Sequence, residues 1–296
     1  MPTQLSSSFR SADALLLLVV LIWGADFSVL KGALAVMHPH VANALRFTVS
    51  AAVLGTYYSV RCQQASVSFF APLKASWHTI LSLGLLGFGA HQVLFVLGLN
   101  NTTAGNAALI MATNPIWTAL LSWGLGDEAL GLRAWGGLFL SLVGTSLVVA
   151  AGSMEGAAGV GTLFGNGMML LAAMAFGSYT AFSKRVVDSG SPTATAFFGV
   201  LFALPVLLGI GALYEPSVKW SQVRWQAWGA ILYSGGLAVG LMFVLWNRGV
   251  RRVGSSNTAV YYYLVPVVGM GVGAVALGEP VTLAQITGGG LILGGL

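Results

Sequence analysis

Charge is what this sequence has least of. Lys and Arg supply 13 of the 296 residues and Asp and Glu supply 8, so only 7% of the chain is charged. Soluble domains carry roughly 25% charged residues. A water-soluble globule of this length cannot cover its surface with so few charges, which excludes a soluble enzyme and a disordered scaffold. The net charge of +5 is scattered along the chain, a pattern typical of membrane loops rather than of nucleic-acid binding.

Cysteine is nearly absent, and no catalytic constellation is visible. Cys62 stands alone, which excludes a disulfide framework and a thiolate metal cluster. The four histidines show no metal-ligand spacing, and neither a P-loop nor a dinucleotide fingerprint occurs. We therefore expect no enzyme activity, no metal and no cofactor.

Long apolar runs are what the sequence does contain, and hydrophobic residues make up 56% of it. A membrane-spanning helix needs about 20 mainly apolar residues, because the hydrocarbon core is ~30 Å thick. Ten such runs lie at 12–34, 41–60, 76–98, 102–124, 132–151, 161–183, 193–214, 226–247, 255–277 and 280–296. A β-barrel would show short alternating strands instead. The sequence thus predicts an all-α polytopic membrane protein with ten transmembrane helices.

Positive residues predict how these helices are oriented. With a cytoplasmic N-terminus, nine Lys and Arg residues fall inside: Arg10, Arg61, Lys74, Arg133, Lys184, Arg185, Arg248, Arg251 and Arg252. Three fall outside: Lys31, Lys219 and Arg224. Because cytoplasmic loops carry an excess of Lys and Arg, this distribution favours a cytoplasmic N-terminus, and ten crossings return the C-terminus to the cytoplasm.

The chain also repeats itself. An offset of 151 residues pairs Asn106 with Asn257, Pro115 with Pro266 and Glu128 with Glu279, and an offset of 153 pairs Gly24 with Gly177 and Lys31 with Lys184. Residues 1–155 and 156–296 would then each hold five spans. Because five is odd, the second half would insert upside down relative to the first. Inverted repeats of this kind are the architecture of many secondary transporters, whose substrate site lies near the midplane.

Ionisable side chains at membrane depth are the first candidates for function. Asp26 lies about fourteen residues into the first span, close to the predicted midplane, where a carboxylate is costly and usually functional. Three roles stay open for it: binding a substrate amine, carrying a coupling proton, or pairing with Arg46 or Lys31. His91, in the third span, would either relay protons or form a neutral hydrogen bond between helices.

Amides, aromatic rings and prolines complete the predicted site. Side-chain amides of Asn106 and Asn257 would bond across helices or hold the polar end of a substrate. The deeper aromatic residues predicted to line the cavity are Trp23, Tyr179, Trp246 and Tyr261. Pro115 and Pro266, matched within the fourth and ninth spans, predict kinks that either serve gating or only shape packing. Such a lumen suits amphipathic solutes or organic cations, whereas phosphorylated substrates would need more cationic side chains.

Several motifs resemble those of one transporter family. Trp23-Gly24-Ala25-Asp26-Phe27 with Lys31 is similar to the first-helix motif of the EamA branch of the drug/metabolite transporter superfamily, and Leu45-Arg46-Phe47 to its second-helix motif. Leu277-Gly278-Glu279-Pro280-Val281-Thr282, followed by Gln285 and Gly288, resembles its closing helices. The resemblance covers essentially the whole chain. Within the family, the chain is similar to the YddG-type exporters of aromatic and other amino acids.

This resemblance implies a function. Members export metabolites and drugs across the bacterial inner (plasma) membrane without ATP, so we expect a secondary exporter of small metabolites, chiefly amino acids including aromatic ones, that works by alternating access. The alternatives are a multidrug or organic-cation exporter of the same superfamily and a non-transporting membrane subunit. The expected partners are a small-molecule substrate and the lipid bilayer, not nucleic acid. The sequence sets no oligomeric state, and a monomer is compatible with it.

Overall fold

Helices make up the fold of this chain. The computed structural model describes residues 3–127, 131–154, 160–189 and 191–295, and no strand occurs within them. The α-helices are α1 (Thr3–Leu34), α2 (Pro39–Ala65), α3 (Ala71–Gly84), α4 (His91–Asn100), α5 (Ala104–Met111), α6 (Asn114–Gly124), α7 (Leu132–Met154), α8 (Val160–Ser189), α9 (Pro192–Tyr214), α10 (Trp225–Leu232), α11 (Met242–Val253), α12 (Ser255–Val260), α13 (Val265–Leu277) and α14 (Leu283–Gly294). The prediction of an all-helical protein is confirmed.

Several helical stretches are long and apolar enough to cross a membrane. Among the described residues five qualify by length and composition: Ala14–Leu34, Ser76–Asn100, Pro192–Ser217, Trp225–Val253 and Ser255–Leu277. Shorter apolar helices cover Leu132–Val148 and Leu283–Gly294. The count of ten spans and the cytoplasmic termini stay predictions, because length and hydropathy of these helices fix neither.

Two of the long stretches are interrupted by π-helices. One covers Leu85–Ala90, between α3 and α4, and the other covers Tyr233–Leu241, between α10 and α11. A π-helix widens the helical turn and often occurs at functional sites. Glycine makes the first one compatible with tight packing, because a β-carbon on Gly87 would overlap the ring of Tyr179. The interruption therefore lies at a close contact with α8.

Both predicted kink prolines begin new helices. α5 ends at Met111 and α6 begins at Asn114, with Pro115 in its first turn. α12 gives way to the 3-10 turn Tyr261–Leu264, after which α13 begins with Pro266 in its first turn. At Pro115 the expected kink is thus a break between two helices, whereas at Pro266 the helical path continues through the 3-10 turn. Proline lacks the backbone N–H that a helix interior needs, and the first turn needs no such donor.

Helix packing is similar on the two sides of the bundle. α2 packs on α9 and α7 packs on α14, while α1 packs on α13 as α8 packs on α6. α7 and α14 approach so closely that a β-carbon on Gly144 would meet the carbonyl oxygen of Gly288. Small residues allow such close helix approach inside membranes.

Candidate substrate cavity

A small cavity lies in the middle of the bundle, between helices from both ends of the sequence. Its volume is about 30 Å³, which is room for one or two water molecules and not for an organic solute. The residues that line it are Trp23, Asp26, Phe27, Arg46, His91, Gln92, Phe95, Phe176, Ala238, Val239, Phe243 and Tyr262.

An ion pair lies at one side of the cavity. Arg46 Nη2 is 3.4 Å from Asp26 Oδ2, and the two residues are 1% and 5% exposed. Arg46 Nη1 donates to Asn43 Oδ1 and to Gln92 Oε1, also at 3.4 Å each. Charge-assisted hydrogen bonds are usually about 2.7–2.9 Å long. The guanidinium is thus surrounded by acceptors and held tightly by none of them.

Part of the hydrogen-bonding capacity of this pair is unused. Asp26 Oδ1 and Arg46 Nε are buried, and neither makes a hydrogen bond with any residue that the structure describes. Asn43 Nδ2, beside the guanidinium, is in the same condition. Buried polar atoms in proteins are nearly always partnered, because an unpartnered one costs about 1–3 kcal/mol. A ligand that offers both a donor and an acceptor would satisfy these atoms.

His91 is oriented by the backbone of a neighbouring helix. Its Nδ1 lies 3.0 Å from the carbonyl oxygen of Ala172 on α8. A carbonyl only accepts, so Nδ1 carries the hydrogen and Nε2 is the ring nitrogen that this contact leaves unused. The contact is an interhelical hydrogen bond, which was one of the two roles predicted for this side chain.

Aromatic rings surround the rest of the cavity, and Trp23 lies at their centre. Its ring centroid is 5.5 Å from Phe176, 5.4 Å from Phe243, 5.1 Å from Trp246 and 5.7 Å from Tyr262. Its indole N–H donates to the carbonyl oxygen of Ala238 at 2.8 Å, which fixes the ring across the two halves of the sequence. Rings at such spacing form a pre-organised apolar wall.

The predicted site residues divide into three groups. Trp23, Asp26 and His91 line the cavity. Tyr179 and Trp246 are buried in the aromatic cluster behind it, where the Tyr179 hydroxyl donates to Asn247 Oδ1 at 3.0 Å and the Trp246 indole to Thr180 Oγ1 at 3.2 Å. These two hold the wall in place without facing the cavity.

Three predicted cavity residues lie elsewhere. Asn257 is exposed and donates to the carbonyl oxygen of Val253 one turn earlier, so its predicted place in the cavity is corrected. The bond satisfies a carbonyl group at the C-terminal end of α11, one of those that a helix leaves without an internal partner. Tyr261 does not line the cavity, whereas Tyr262 does. Asn106 is buried near the end of the bundle, where it accepts a hydrogen bond from Gln285 Nε2 at 2.8 Å.

The polar lining comes mainly from the first half of the sequence, which also supplies the rings of Trp23, Phe27 and Phe95. Apart from Tyr262, the charged and polar side chains of the cavity all belong to residues 26–92. Residues 176–243 contribute only phenylalanine, alanine and valine. The cavity therefore combines charged and polar side chains with aromatic rings, a lining suited to an amphipathic solute.

A second group of residues joins the halves at one end of the bundle, and we call it the end clamp. Lys31 Nζ is 3.3 Å from Glu279 Oε1 and also donates to the carbonyl oxygen of Thr102. The Glu279 carboxylate accepts from the backbone N–H groups of Ala104 at 3.0 Å and Gly105 at 3.2 Å. A carboxylate at the first turn of a helix, here α5, satisfies donors that the helix itself leaves free. The end clamp thus closes the gap between α1, α5 and the loop before α14.

Comparison with models of protein families identifies the family of this chain. The model of the EamA-like transporter family matches residues 10–150 and again residues 163–296. The chain belongs to the EamA-like transporter family. As a member of that family it is a multi-pass membrane transporter and not an enzyme, and its partners are small-molecule substrates and the lipid bilayer.

Individual relatives of this EamA-like transporter are distant but extend over nearly its full length. The uncharacterized transporter YyaM of Bacillus subtilis is 27% identical over 92% of the chain and 88% of its own length. A probable amino-acid metabolite efflux pump of Salmonella typhimurium is 28% identical over 97% of the chain and 94% of its own length. A solved crystal structure with 22% identity covers 96% of both chains at a TM-score of 0.72, which shows the same fold.

Proposed function

We propose that this EamA-like transporter exports zwitterionic amino acids with aromatic or other apolar side chains across the bacterial inner membrane. The observation that carries the proposal is the Asp26–Arg46 pair, buried beside an aromatic wall. An α-amino acid carries the same two charges in one small group. Its ammonium would bind the Asp26 carboxylate, and its carboxylate would bind the Arg46 guanidinium. These two contacts would replace the long contact of 3.4 Å between Asp26 and Arg46.

The aromatic wall accounts for the other end of such a substrate. Trp23 and three rings around it, Phe176, Phe243 and Tyr262, line the same cavity as the ion pair. Burial of an aromatic or aliphatic side chain there is favourable by about 25 cal/mol per Å² of apolar surface. Amino acids with apolar side chains would therefore be preferred over small polar ones. The YddG-type specificity for aromatic amino acids is the finer form of this proposal.

The same charges argue against other substrates. Phosphorylated solutes call for several cations or bidentate arginine clamps, and Arg46 is the only Lys or Arg among the described lining residues. A simple organic cation would be attracted by Asp26 but repelled by the adjacent guanidinium. The printed name of the Salmonella typhimurium relative, a probable amino-acid metabolite efflux pump, agrees with an amino acid as substrate.

The proposed mechanism is alternating access between two inverted five-helix repeats, residues 1–155 and 156–296, with ten spans and both termini in the cytoplasm. Two separate matches of one family model support the repeat. So do the cavity residues, because the offset of 153 carries Trp23 onto Phe176 and the offset of 151 carries Gln92 onto Phe243, and all four line the cavity.

The end clamp gives this mechanism a closing device. In the predicted orientation it lies at the outer end, where its contacts would hold that end shut. The repeat counterparts of Lys31 and Glu279 are Lys184 and Glu128, of which Glu128 lies outside the described residues. We propose that these counterparts form the equivalent contacts at the cytoplasmic end when the outer end opens, so that the closed end alternates.

Counterflow in proteoliposomes tests the proposal against its rival, an exporter of organic cations. Vesicles loaded with unlabelled phenylalanine should accumulate labelled phenylalanine transiently and saturably, and an aromatic quaternary ammonium should not compete. Saturation distinguishes a carrier from a pore. Flux of the quaternary ammonium without flux of phenylalanine would favour the multidrug alternative. No solute flux, together with a stoichiometric partner chain in the purified material, would favour the non-transporting subunit.

A further inference from the structure

A second, larger cavity lies away from the central one. It is a cleft of about 620 Å³ at the end of the bundle where α2 and α11 finish and α9 begins. Four arginines line it: Arg61, Arg248, Arg251 and Arg252. No acidic residue is found among its described lining residues, and it shares none of them with the central cavity. In the predicted orientation the cleft faces the cytoplasm.

The arginines of this basic cleft come from both halves of the sequence. Arg61 is exposed near the end of α2, and Arg248 is half-buried on α11, where its Nη2 donates to the Tyr57 hydroxyl at 2.8 Å. That bond directs the Arg248 guanidinium and leaves its other N–H groups for a ligand. Arg251 and Arg252 interact with further groups of their own, so Arg61 and Arg248 are the two on which the inference depends.

Other features of the cleft also favour an anion. Pro192 and Thr193, from the first turn of α9, line it. α9 is 23 residues long, and the N-terminal end of a helix carries partial positive charge that attracts anions. Ser68 and Ser191 add hydroxyl groups to the lining. Guanidinium groups, hydroxyls and a helix N-terminus are the elements from which phosphate sites are usually built.

Apolar surface adjoins this charge. Val67 lines the cleft and is 55% exposed, and Phe70, three residues further on, is 58% exposed. A water-facing loop gains nothing from two such side chains, whereas lipid acyl chains would cover them. We propose that the basic cleft binds an anionic phospholipid, with the headgroup phosphate at Arg61 and Arg248 and the acyl chains along Val67 and Phe70. Basic pockets between helices on the cytoplasmic side are known to bind such headgroups.

Native mass spectrometry of the full chain, released from detergent and titrated with lipid, tests this proposal. The lipids are phosphatidylglycerol and, as a zwitterionic comparison, phosphatidylcholine. The test variant is Arg61→Gln with Arg248→Gln. The matched control is Arg133→Gln with Arg224→Gln, which removes the same charge from two exposed arginines outside the cleft. Thermal unfolding without lipid shows that each variant is folded, and Arg61→Gln alone serves if the double variant is not.

We expect the unaltered protein to bind phosphatidylglycerol in preference to phosphatidylcholine. The test variant should bind phosphatidylglycerol about 30-fold more weakly, because each lost arginine removes about 1 kcal/mol of binding free energy. Arg61→Gln alone should weaken binding about fivefold. The control should change by less than about twofold. Equal binding by the test variant, or equal binding of the two lipids, would overturn the proposal. Displacement of the lipid by an equal concentration of glycerol phosphate would overturn the lipid assignment in favour of a soluble phosphate. None of these outcomes bears on amino-acid transport, which is measured separately.

Discussion

Removing the charges of Asp26 and Arg46 singly and together separates a structural ion pair from a substrate site. Asp26→Asn leaves the Arg46 guanidinium, 1% exposed, without its counter-charge. Breaking a buried pair by removing one partner costs about 3–5 kcal/mol of stability. The contact of 3.4 Å is long, and Asn43 and Gln92 still offer acceptors to the guanidinium. We therefore expect either Asp26→Asn or Arg46→Gln to lower the free energy of unfolding by about 3 kcal/mol, the lower end of that range.

The double variant is the decisive member of this cycle. With both charges gone, no lone charge is buried, and the loss of stability should be smaller than the sum of the single losses by about 2–3 kcal/mol. Stability is measured by unfolding in mixed micelles, and function by phenylalanine counterflow. We expect the double variant to be folded and still inactive, because the substrate needs both charges. A double variant that regains transport would show a purely structural pair and refute the proposed recognition.

Three further predictions concern residues outside the charge pair. Glu279→Gln should change the maximal rate of phenylalanine counterflow at least twofold and leave KM unchanged, because the end clamp does not line the cavity; a changed KM at constant maximal rate would contradict this. Gly87→Ala should lose about 1–3 kcal/mol of stability through overlap with a neighbouring ring, while Gly32→Ala, with open space around it, should stay within about 0.5 kcal/mol in the same unfolding assay. Asn106→Ala should lower the unfolding free energy by about 1 kcal/mol, because it removes the acceptor of a buried hydrogen bond, whereas exposed Asn257→Ala should not; equal effects of the two would disagree with their placement.

The membrane class and the charged centre of the site could be predicted from the sequence for a physical reason. A carboxylate in an apolar helix is so costly that it must be paired or functional, so Asp26 stands out without any structure. Pairing of Asp26 with Arg46 was one of its three predicted roles, and the structure shows that contact. The sequence placed Arg46 only a few residues into its span, and its burial in the cavity lining depends on how α2 packs.

The aromatic lining was harder to predict, because irregular helix turns shift which residue faces inward. Tyr261 was predicted and Tyr262 lines the cavity, since a 3-10 turn changes the direction of successive side chains. Phe95 had a usable signal: it lies four residues after His91 and so shares its helix face. Phe243 had another, because the repeat offset carries Gln92 onto it. The end clamp depends on contacts between distant segments, which no local pattern reveals.

The most direct test of zwitterion recognition is inhibition of labelled phenylalanine counterflow by analogues that lack one charge. Phenethylamine keeps the ammonium and the ring, and 3-phenylpropionate keeps the carboxylate and the ring. If Asp26 and Arg46 each bind one end of the substrate, either analogue leaves a buried charge unmatched and should inhibit at least about a hundredfold more weakly than phenylalanine. Inhibition by phenethylamine or by 3-phenylpropionate as strong as that by phenylalanine would contradict the account.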